Sequence, residues 1–80
     1  MSREAIYEEL NPIFQDVFED ETLVVSDATV SKDIEEWDSL THLQLIAEIE
    51  CEFSIKFTMG EIQNFKNVGE LVETILKKIE

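Results

Sequence analysis

Between Val68 and Ile79 the apolar residues Val68, Leu71, Val72, Ile75, Leu76 and Ile79 recur at i, i+3, i+4, i+7, i+8 and i+11, a spacing that gathers them on one face of an α-helix. Asn67 precedes this run as a cap with Glu70 at the third position, and Lys77 and Lys78 suit the negative pole of the helix dipole at its end. A second stripe, Ile6, Leu10, Ile13, Phe14, Val17 and Phe18, defines a first helix within Ser2 to Phe18. Pro12 lies inside it and cannot donate to the carbonyl of Glu8, which predicts a kink or a later true start.

Glu19 to Trp37 has no sustained period. It holds turn and capping residues (Asp20, Thr22, Ser26, Asp27, Thr29, Ser31, Asp33) with Leu23, Val24, Val25, Val30 and Ile34 between them, and reads as a long loop pinned by apolar anchors. A connection of that length should carry function or hide a short helical turn. Asp38 is a good N-cap for a helix from Ser39 to about Phe53. Thr58 and Glu61 have capping-box spacing, so Met59 to Phe65 supplies a short further helix. The fold class is therefore all-α: a small four-helix bundle of three main helices and one short one, with a long loop between the first and second. Eighty residues close one hydrophobic core without surplus for another, so residues 1–80 read as one domain.

Nineteen acidic residues against six basic ones give a formal charge of −13, which makes nucleic acid and anionic membrane surfaces poor partners and basic surfaces good ones. Cys51 is the only cysteine, so neither an internal disulfide nor a cysteine zinc set can form. No apolar signal-peptide core or membrane-spanning run is present, and the expectation is a cytoplasmic monomer without membrane insertion.

The helix opened by Ser39 has more apolar surface than a small core needs. Leu45, Ile46, Ile49 and Phe53 share one side, while Leu40, Leu43, Ala47 and Cys51 form a neighbouring row, and the two sweep roughly 220°. The first set is assigned to the core. Leu40, Leu43 and Ala47, edged by Asp38, Glu48 and Glu50, are left as a docking surface. Ser39 stands in the first turn, where free backbone amides and the positive end of the dipole would favour an esterified phosphate.

Trp37-Asp38-Ser39-Leu40 opening a second helix after a long loop in an acidic domain of this size resembles the acyl carrier protein family. The likeness runs through Leu43-Gln44-Leu45-Ile46, Glu50-Cys51-Glu52-Phe53, Ile55-Lys56-Phe57 and Asn67-Val68, nearly the whole chain. The resemblance implies a non-catalytic carrier holding acyl groups as thioesters on a 4′-phosphopantetheine arm. That arm is transferred from coenzyme A to the Ser39 hydroxyl by a phosphopantetheinyl transferase, with Asp38 and Leu40 flanking the attachment point. It further implies that Asp38, Leu40, Leu43, Ala47, Glu48 and Glu50 meet an acyl-loading ligase or acyltransferase and downstream synthases with basic patches. Ile49, Ile62 and Phe65 are the implied candidates for lining an acyl pocket between the second and third helices. Glu36-Trp37 stands where the pattern of fatty acid synthesis has Gly-Ala, and Thr41 and Gln44 replace acids, which suggests a specialised rather than housekeeping member.

Other readings use the same residues. Asp38, Ser39 and His42 could be a hydrolase constellation, but an N-capping Asp38 turns its carboxylate to backbone amides and no glycine-rich turn offers an oxyanion hole. His42 points to the core side of its helix and reads as a hydrogen-bonded structural histidine. Glu48 with Glu52, and Asp16 with Glu19 and Asp20, read as solvated acidic faces rather than metal sites. A peptidyl, aryl or D-alanyl carrier would share arm and bundle, and an armless acidic helical adaptor would use the apolar row alone.

Overall fold

The computed structural model describes residues 2–79, and its elements follow from caps and stripes. Helix α1 spans Arg3–Val17, α2 Ser39–Phe53, α3 Met59–Asn64 and α4 Val68–Ile79, with a 3₁₀ turn at Ser31–Asp33 inside the long loop. Ser2 caps α1, its hydroxyl accepting from the amide of Ala5 at 3.1 Å. Pro12 does not delay the start of α1, which runs unbroken through it. Both Pro12 and Glu8, whose carbonyl loses its donor, are exposed residues.

α1 packs on α2 and α4 through Ile6, Leu10, Phe14 and Val17, which meet Leu45, Ile46 and Ile49 of α2 and Val68, Leu71, Val72 and Ile75 of α4 in one core. Burying an apolar side chain of this size stabilises the fold by about 1.5–3 kcal/mol before chain entropy is counted. No charged or polar side chain is buried among the described residues, so polar groups act at the edges, as caps and loop anchors.

The loop is held by hydrogen bonds and by apolar anchors. Asn11 on α1 accepts from the amide of Val25 at 2.8 Å, and Gln15 donates to the carbonyl of Leu23 at 2.9 Å. The far side of the loop meets the start of α4, where the amides of Val68 and Gly69 donate to the carbonyls of Thr29 and Asp27 at 2.9 and 3.1 Å. These two bonds satisfy amides that a helix N-terminus otherwise leaves open. Val25 and Ile34 are buried anchors, but Val24, expected to be one, is 73% exposed.

Among the described residues two other than glycine adopt the left-handed conformation, Glu19 after α1 and Ser54 at the end of α2, with φ of 53° and 55°. Each lets the following amide reach back into its helix, Asp20 to the Gln15 carbonyl at 3.0 Å and Ile55 to that of Glu50 at 3.1 Å. Arg3 joins three elements by ion pairs to Asp27 and Glu73 at 2.6 and 2.5 Å, and Lys78 ties α4 to α3 through Glu61 at 2.7 Å.

Candidate functional site

The start of α2 is built by a reciprocal cap. One carboxylate oxygen of Asp38 accepts from the amides of Leu40 and Thr41, each at 3.0 Å, and the Thr41 hydroxyl accepts from the amide of Asp38 at 2.8 Å. The amide of Thr41, with its hydroxyl and the amide of Leu40, holds the Asp38 carboxyl below the usual carboxylate range. This corrects the expectation of free first-turn amides, two of which are already taken by Asp38.

Ser39 is exposed at the first position of α2, and among the described residues its hydroxyl has no hydrogen-bond partner. It does not meet His42. The indole N–H of Trp37 donates to Nδ1 of His42 at 3.0 Å, so the ring proton sits on Nε2, which donates to the carbonyl of Ile62 at 2.9 Å. With Asp38 turned to amides and both His42 nitrogens engaged, the three residues form no nucleophile–base pair. The Ile62 carbonyl lies in the last turn of α3, and the Lys66 amide that could have reached it donates instead to Glu70 at 2.9 Å. His42 therefore caps α3 from α2.

An open groove of about 520 Å³ runs beside Ser39 between α2 and α3, with His42 and Leu43 on one wall, Met59, Ile62 and Phe65 on the other, and Trp37 beneath. Ile62 and Phe65, two of the acyl-pocket candidates, line it half-buried. Ile49 does not: it is fully buried in the core, because it shares the side of α2 that faces α1.

The second row of α2 is open. Leu40 and Leu43 are 76% and 57% exposed, Ala47 and Cys51 are exposed, and the acids Asp38 and Glu48 border them. Met59, 68% exposed across the groove, extends this apolar surface onto α3. Met59 was not among the residues expected on this surface, because its packing across the groove from α2 is a tertiary contact. Glu50 differs from its expected place: half-buried, it accepts from the amide of Phe57 at 2.8 Å and fastens the α2–α3 connection.

The four-helix bundle thus exposes one unengaged serine at the head of its second helix, beside a groove and an acid-edged apolar row. The family model described as the phosphopantetheine attachment site matches residues 9–75. The solution NMR structure of the holo acyl carrier protein from Geobacter metallireducens is similar at 44% identity and a TM-score of 0.85, over 91% of this chain and 84% of that one. No curated protein matches the chain. The chain belongs to the acyl carrier protein family of phosphopantetheine-bearing carriers. Its class of function follows: a carrier with covalently attached phosphopantetheine that serves a phosphopantetheinyl transferase and synthases. Among the described residues no helix is long and apolar enough to cross a membrane.

Proposed function

We propose that Ser39 is the attachment point of the arm and that the chain, as a single carrier domain without catalytic activity of its own, shuttles acyl thioesters between cytoplasmic biosynthetic enzymes. The observation that carries the reading is the Ser39 hydroxyl, exposed and unengaged at the head of α2. The Ser39 oxygen attacks the pantetheine-bearing phosphorus of coenzyme A. A new phosphoester bond forms, the pyrophosphate bond breaks, adenosine 3′,5′-bisphosphate leaves, and the hydroxyl proton passes to a base of the transferase. The bound arm supplies a terminal thiol for thioesters. Everything else asked of this chain is placement.

Asp38, Leu40, Leu43, Ala47 and Glu48 make the docking face. A net charge of −13 speeds encounter with basic patches, and because salt screens that attraction the complexes stay short-lived. Lipid or fatty acid synthesis is the pathway class favoured, in a specialised branch with its own ligase or acyltransferase, since Trp37, Thr41 and Gln44 depart from the housekeeping pattern. The test is intact mass after incubation with coenzyme A and a broad-specificity transferase. One added phosphopantetheine on the wild type and none on Ser39→Ala is the expected result. Addition to Ser39→Ala, or none to the wild type even with its cognate transferase, sinks the assignment.

A further inference from the structure

One helical turn on from Ser39, the ring of His42 lines the groove between α2 and α3 and bridges the two helices. Trp37 holds it from the loop and Ile62 from α3, through the 3.0 and 2.9 Å hydrogen bonds to its two nitrogens. Phe65 lies against its other side with ring centroids 5.2 Å apart, and Trp37 stacks on it at 6.0 Å. Trp37 is in turn backed by Phe14 and Phe18 of α1, at 5.5 and 5.7 Å. His42 also heads the side of α2 that continues as Leu45, Ile46 and Ile49, all buried. The groove beside Ser39 is lined by His42 and by none of those three residues.

We propose that the Trp37–His42–Ile62 hydrogen-bond chain, closed by Phe65, is a latch that bars the space between α2 and α3, so that this carrier presents its cargo outside the bundle. The inference rests on Ser39 bearing the arm. Opening the latch would break both hydrogen bonds of the His42 ring, and an entering alkyl chain has no polar group to replace them. An alkyl chain is a poor exchange for them. The cargo class that suits a closed latch is a small or polar acyl group, which loses little by staying in the groove within reach of water. A long saturated chain would instead leave its hydrocarbon exposed.

The experiment loads the full chain with acetyl- and octanoyl-phosphopantetheine from the corresponding coenzyme A thioesters and verifies both by intact mass. The methyl resonances of Leu45, Ile46 and Ile49 and the rate of thioester cleavage by hydroxylamine are then compared. In the wild type the two forms should give the same methyl resonances and cleave at the same rate. In His42→Ala the octanoyl form alone should shift those resonances and cleave more slowly. Trp37→Phe, which keeps a ring but removes the indole donor, should do likewise and serves where His42→Ala folds poorly. Chain-length-dependent shifts in the wild type overturn the latch while leaving Ser39 as the carrier residue, and so does a failure of both variants to admit the chain. Failure of the wild type to load overturns the Ser39 assignment and the latch with it.

Discussion

The amide of Gly69 donates to the carbonyl of Asp27 at 3.1 Å, and a Cβ added to Gly69 would lie 2.9 Å from that same oxygen. Elsewhere in a helix, alanine is better than glycine by about 1 kcal/mol. Here the clash is with backbone, which cannot swing aside as a flexible side chain would. Gly69→Ala should therefore destabilise the protein by about 1–3 kcal/mol in urea unfolding, with faster hydrogen exchange at Val68 and the loop around Asp27. A gain in stability would mean that the loop yields at no cost.

The hydroxyl of Tyr7 donates to Asp27, which Arg3 also grips at 2.6 Å. Burial, and then the bond to Asp27, push the Tyr7 phenol up to about 12. Tyr7 is the only tyrosine, so tyrosinate absorbance reads it alone. The folded value lies above the unfolded value of about 10, so this contribution to stability is whole below pH ~10 and is lost as pH rises through the folded value. The Asp27 carboxyl, lowered by Tyr7 and then Arg3, gives the opposite limb: its contribution is present above pH ~4 and lost as pH falls further. Asp27→Asn should lower the Tyr7 midpoint only in part, because the burial of the phenol remains, and should remove that acid limb.

Asp38 caps α2 as an acceptor and borders the docking face as a charge. Asp38→Asn keeps an oxygen for the amides of Leu40 and Thr41, whereas Asp38→Ala removes it. At neutral pH the alanine variant should melt lower than the asparagine one, and both should load the arm more slowly than the wild type. Because the folded Asp38 carboxyl is lowered, the wild-type cap weakens as pH drops below ~4, a loss the asparagine variant should not share. Equal melting of the two variants at neutral pH would remove Asp38 from the cap.

Leu43 and Glu50 lie two turns apart on α2 and should respond oppositely to truncation. Leu43→Ala alters a side chain that is 57% exposed, so stability should change by no more than about 0.5 kcal/mol, while KM for the transferase rises about 5- to 30-fold if Leu43 is a docking anchor. Glu50→Ala releases the amide of Phe57 and should cost about 1 kcal/mol of stability with little change in KM. A stable Glu50→Ala that loads poorly would return Glu50 to the docking face.

The helices were legible because their determinants are local. Asp38 before Ser39, Thr58 with Glu61, and the spacing from Val68 to Ile79 each act within one or two turns, and α2, α3 and α4 begin where those caps fall. The exposed row of α2 was legible for a related reason: two apolar rows on one helix exceed what a core of this size can cover. Pro12 misled only in part, since a sequence names the lost bond but not the side of the helix on which its carbonyl emerges.

What the sequence by itself determined is therefore the helical class, the caps, the division of α2 into a buried and an open side, and the serine at its head. Tertiary structure alone decided that Glu50 turns to Phe57, that Gly69 admits the Asp27 carbonyl, and that His42 joins Trp37 to Ile62. The physical reason is reach. Caps and stripes depend on neighbours three or four residues away, which the chain order supplies, whereas the His42–Ile62 and Gly69–Asp27 contacts join segments that meet only once the core has closed.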